Sequence, residues 1–143
     1  MRHTRQATLL IAVLLGLGTS RAAASANPLV GGQWSYTSYR SDGQASYSMF
    51  FVFQANGRFD MRIVNTGLTS DYTGTYRLSA NLQAIQMVYQ DYSPRQDCNQ
   101  GFCYPIPPLV QLGAPLIDSL NIISASRFEL MDASGPMLFV RGR

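Results

Sequence analysis

From residue 58 onward apolar and polar positions alternate. Phe59, Met61 and Ile63 fall on one side and Arg58, Asp60 and Arg62 on the other, which is the period of a half-buried β-strand. The run before it differs: Tyr47, Met49, Phe51 and Phe53 make one apolar row, and Phe50 and Val52 carry apolar character onto the opposite face. Such a strand needs cover on both sides or a partner. Ala55, Asn56 and Gly57 separate the two runs, and Asn and Gly accept the positive φ of a tight turn. Residues 47–64 are therefore predicted to be a β-hairpin around which the rest of the chain is arranged.

The same reading places a first strand at 33–39 with Trp34 and Tyr36 on one face, followed by a turn at 41–44. A fourth strand spans 71–79, where Tyr72, Gly74, Tyr76 and Leu78 share a face and Gly74 marks a bulge or a close backbone approach. Ile85, Met87 and Tyr89 form the inward row of a fifth. Residues 116–124 resume a strand with Leu120 and Ile122 on one face, and 126–130 with 136–141 make a closing hairpin around Asp132 and Gly135. Between them, residues 94–115 hold five of the seven prolines and both cysteines without a sustained period. This segment is expected to be a long ordered loop with a short strand near 109–112. With no repeat and no helix beyond a turn or two, the pattern predicts an all-β fold. It is an antiparallel meander that either closes into an up-and-down barrel of about eight strands or folds into a β-sandwich.

The N-terminus changes how charge is read. Arg2 and Arg5 precede an apolar run at 7–18, and small residues lead to Ala24-Ser25-Ala26, the pattern of a secretory signal peptide cleaved after Ala26. The apolar run falls short of the roughly 20 residues that span a bilayer, so no stable membrane anchor is expected after cleavage. Residues 27–143 then form a single domain in the periplasm or outside the cell. Three of the eleven arginines leave with the leader, so eight remain against eight acidic residues. The basic balance of the whole chain thus gives no support for a nucleic-acid partner. Lys is absent and the one His, His3, lies in the leader. In an exported chain, Cys98 and Cys103 are expected to form a local disulfide that stiffens the loop.

Several short motifs point to a family. The opening Gly32-Gln33-Trp34, the hairpin pattern from Phe51 through Asn56-Gly57 to Phe59, Gly74-Thr75-Tyr76, and the terminal turn from Asp132 to Gly135 resemble small secreted bacterial lipocalin-like proteins of the calycin type. The resemblance spans most of residues 27–143. It implies that Trp34 plugs one end of the barrel and that Arg141, in the last strand, stacks on it.

An inward wall including Trp34, Tyr36, Phe51, Phe53, Phe59, Tyr76 and Tyr89 would serve either as the lining of a site for a small apolar ligand or as a packed core, since an eight-stranded barrel has room for one or the other. The alternative function is a protein-interaction or inhibitor module with a filled barrel. It would use Phe50, Val52, Phe102 and Tyr104 together with the stiffened 94–115 loop. Without His or Lys after the leader, a serine nucleophile lacks an ordinary base, and Asp60 and Glu129 show no spacing that sets them across a cleft. Asp91, Asp97 and Asp118 lack the spacing of a calcium loop. The expectation is a binding protein, not an enzyme, without metal or cofactor.

Overall fold

The protein is described by a computed structural model covering residues 26–142; the leader up to residue 25 lies outside the described residues. The central hairpin forms as the alternation requires. Strand β2 (Ala45–Phe53) pairs with β3 (Arg58–Asn65) in a register that sets Phe51 opposite Met61 and Phe53 opposite Phe59. The turn between them places Gly57 at φ 80, and Asn56 accepts the backbone N–H of Arg58 on its side-chain oxygen. The remaining barrel strands are β1 (Gln33–Tyr39), β4 (Leu68–Leu78), β5 (Ala84–Ser93), β8 (Pro115–Ser124), β9 (Arg127–Asp132) and β10 (Gly135–Arg141). All neighbours are antiparallel in the order β1-β10-β9-β8-β5-β4-β3-β2, and the sheet closes. Closure decides between the two architectures: the fold is an up-and-down barrel, not a two-sheet sandwich.

The seam that closes it is short. β1 meets β10 through two residue pairs, Trp34 with Arg141 and Ser35 with Val140. Elsewhere the strands are held by inward rows that alternate with exposed ones. Gly74 shows what that packing demands: the register shifts between Thr73 and Gly74, and a Cβ at this position would stand 2.2 Å from the Val88 carbonyl oxygen and 2.7 Å from the Phe59 ring. Only glycine lets the strand pass there.

The 94–115 segment departs from expectation. Residues 109–112 form no strand. Leu109 uses its N–H on the Tyr72 hydroxyl at 3.0 Å, and Val110 and Leu112 pack on the core as rim cover. Instead, β6 (Gln96–Asn99) and β7 (Phe102–Pro105) make a separate two-stranded ribbon outside the barrel, with Cys98 directly opposite Cys103 and the two disulfide-bonded. Every residue of the ribbon strands is exposed, so no apolar period marks them in the sequence. Their turn is made by Gln100 and Gly101, both at positive φ.

Candidate functional site

The two ends of the barrel differ. At one, the segment before β1 crosses the opening: Leu29 is fully buried, and its carbonyl accepts the Trp34 indole N–H at 2.8 Å. The guanidinium carbon of Arg141 stands 4.4 Å from the indole centroid. One Nη donates to the Pro28 carbonyl at 2.7 Å and more weakly to that of Val30 at 3.4 Å. Gly32, at φ 141, leaves room for this arm, since a Cβ there would sit 3.1 Å from the Arg141 Cγ. Above the clasp the rings pack on one another. Phe128 meets Trp34 edge-on at 4.7 Å and stacks on Phe139 at 4.9 Å, and Phe51 stacks on Phe53 at 5.3 Å. This end is closed and solid.

The other end, called the cup below, is less completely covered. The inward rows of β1, β2, β3 and β10 continue past the packed rings with Tyr36, Met49, Ile63 and Met137, all only partly buried. Tyr36 is paired in register with Met49 and Met49 with Ile63, so they form a continuous apolar wall. On the opposite side the segment after β7 folds back over the rim. The Tyr92 hydroxyl donates to the Ile106 carbonyl at 2.9 Å, and the Gly113 N–H donates to the Tyr89 carbonyl at 2.8 Å. A crevice of about 180 Å3 opens beneath this segment, lined by Tyr89, Val110, Gln111, Ala114, Pro115 and Leu116.

Two polar side chains are buried among the described residues, Ser70 and Asp118, at 5% and 6% exposure. Both belong to inward rows: Ser70 precedes Tyr72 on β4, and Asp118 precedes Leu120 on β8, opposite the fully buried Ile85. Among the described residues the one fully buried side-chain nitrogen or oxygen without a hydrogen-bond partner is Arg141 Nε, so the polar atoms of Ser70 and Asp118 are not stranded in that way. Loss of hydration raises the Asp118 carboxyl above its ordinary range, and Asp132 adds to the effect. The Tyr89 phenol is raised by burial first, then by Asp118 and Tyr72; that of Tyr47 by burial, then by Tyr36 and Asp132. Asp132, at the rim, is lowered, chiefly by the Ser134 hydroxyl that donates to it. Acidic neighbours thus add to burial in raising Asp118, Tyr89 and Tyr47.

Of the residues singled out as an inward wall, Trp34, Phe51, Phe53, Phe59, Tyr76 and Tyr89 are buried in ring-to-ring contact, and Tyr36 alone reaches the cup half-exposed. The Tyr76 hydroxyl is tied off by the Gln54 carbonyl and the Asn27 amide. Phe50 and Val52 lie on the outer face of β2, beside an open hollow of about 380 Å3 shared with Arg62 and Asp71. Phe102 and Tyr104 lie on the ribbon that springs from β5, three strands round the barrel from β2, so the structure does not bring these four together. Asp60 and Glu129 sit on separate strands, bonded to Gln54 and Asn121 respectively. Sequence reasoning weighed Asp118 only as a calcium ligand and declined it, although extending the Leu120 and Ile122 row by one step reaches it as an inward residue. No protein-family model matches the chain, and no curated protein matches it.

Proposed function

We propose that the protein is a non-enzymatic, lipocalin-like binding protein, exported to the periplasm or the cell exterior, that holds one small and largely apolar ligand in the cup. The observation that carries this reading is the contrast between the two halves of the barrel. Below, aromatic rings fill the interior; above, Tyr36, Met49, Ile63 and Met137 continue the same inward rows and remain partly open to water. Apolar surface on the concave side of a barrel gains about 25 cal/mol per Å2 when a ligand covers it. Methionines on two of the four strands add adaptable lining. Export accords with the disulfide, which an oxidising compartment permits.

Native mass spectrometry of protein purified from its own host, exported through its own leader, tests the reading. The expected result is a small molecule released on denaturation and absent from a Met137→Trp variant that fills the cup. No bound mass in either form sinks it. A second reading, partner binding through the ribbon, is favoured by one observation: Phe102 and Tyr104 are 69% and 65% exposed on one face of a disulfide-closed hairpin. A defined protein complex lost on Phe102→Ser and kept by Met137→Trp would favour it instead.

A further inference from the structure

We propose that the outer face of β10, β1 and β2 is the contact between two copies of this chain, paired about a two-fold axis. These three adjacent strands carry one charged residue, Arg141, and it turns into the clasp on Trp34. What faces outward is apolar or neutral and continuous across the strands. Ser35 stands opposite Phe50 on one side and Val140 on the other, and Val52 and Leu138 follow next on the same face. Val52, Leu138 and Val140 are 37%, 41% and 41% exposed. The strands on either side differ: β3 turns Arg58, Asp60 and Arg62 outward, and β9 turns Arg127 and Glu129. A neutral centre between charged margins is the anatomy of a protein–protein contact. The seam of the barrel runs through it. Beyond Ser35 and Val140, β1 and β10 make no further pair, and Pro136 on that edge has no N–H to offer, so a body laid across the face also bridges the weakest join.

The margins select a second copy as that body. Both alternate in sign along their strand, so a copy turned end for end sets Arg62 over Asp60 on β3 and Arg127 over Glu129 on β9, each contact made twice by the symmetry. A partner of one dominant sign would meet repulsion at part of each margin. Nor do two copies repel as whole molecules, since eight arginines balance eight acidic residues from Asn27 on. Area sets the strength. The seven residues of β1 run about 23 Å, so three strands about 4.8 Å apart present about 330 Å2, and five with the margins about 550 Å2 per copy. That is the low end of specific interfaces, and the dimer is reversible, not permanent.

Sedimentation velocity of the exported protein from about 1 to 500 μM reads the contact directly. The expected result is a shift from monomer to dimer with its midpoint between about 1 and 100 μM, and a Tm that rises over the same range. Val52→Lys and Val140→Lys each bring two ammonium groups to the centre of the contact and should weaken the dimer about thirtyfold or more, while the exposed position leaves the monomer folded. Arg127→Glu and Glu129→Arg should each weaken it about tenfold, and an equimolar mixture of these two variants should form a heterodimer as tight as the parent. A monomer across the whole range overturns the proposal, as does a dimer that both lysine variants keep. Loss of such a dimer on Phe102→Ser moves the contact to the ribbon and overturns it too, and a mixture no tighter than its components overturns the two-fold arrangement. The concentration dependence of the unmodified chain decides even if a variant fails to fold.

Discussion

Removing either half of the Trp34–Arg141 clasp should open the barrel at its weakest seam. Trp34→Ala empties a fully packed position in contact with Phe128 and frees the Leu29 carbonyl, which sets the loss at about 3 to 5 kcal/mol. Arg141→Ala forfeits the stack and the bond to the Pro28 carbonyl, each worth about 1 to 2 kcal/mol. It also removes the Arg141 Nε–H, which is buried without an acceptor among the described residues and whose burial is itself unfavourable by about 1 kcal/mol or more. The net loss expected is about 1 to 2 kcal/mol, smaller than for the tryptophan. The two residues share one contact, so the double mutant should lose about 1 kcal/mol less than the two singles added together. Arg141→Lys should behave nearly as the alanine variant, since an ammonium cannot lie flat on the indole while reaching a carbonyl. Urea titrations followed by far-UV circular dichroism measure all four, because Trp34 is the only tryptophan and its emission is lost in half of them. Additivity to within about 0.3 kcal/mol, or a Trp34→Ala loss below about 1 kcal/mol, would refute the reasoning.

Gly74→Ala drives a methyl into the Val88 carbonyl and the Phe59 ring, and backbone cannot yield as a side chain does; a loss of about 3 kcal/mol or more is expected in the same titration, and a variant within about 1 kcal/mol of the parent refutes it. Asp118 has a raised carboxyl, so its contribution to stability is fully present below the ordinary carboxylate range and is lost as pH rises through its own value. Asp118→Asn should accordingly raise the Tm near pH 7 and leave it unchanged near pH 3, and a difference that does not vary with pH contradicts the burial argument. Reducing the disulfide releases a constraint of about 2 kcal/mol that acts on a ribbon outside the barrel. The barrel Tm should therefore hold while proteolysis at Tyr104 accelerates, and a matching fall in barrel Tm would show that the ribbon is coupled to the fold.

Much of the barrel was legible because its strands are half-buried. Phe59, Met61 and Ile63 alternate with charged residues, and the inward phase of most barrel strands could be read one element at a time. Gly74 was legible as a break in an aromatic row. The ribbon was not, since Gln96 to Pro105 is wet on both faces and lacks the burial that imposes a period. Leu109 to Leu112 carried the opposite signal: apolar residues that cover a rim look like a strand when read alone. The cup escaped for a further reason. Alternation tells which way Tyr36 or Met137 points, not whether another layer lies beyond it, and that depends on how eight staggered strands bring their rows together.

The seam between β1 and β10 bears on how the chain is made. A ribosome delivers β1 long before β10, so through most of synthesis the first strand offers an unpaired edge and Trp34 has no cap. The barrel cannot close on a partial product, and a chain halted anywhere before Arg141 keeps its floor open with aromatic rings in view. Until β10 docks, the β1 edge and the rings above the clasp stay exposed, so the last and most non-local pairing is the one that hides them.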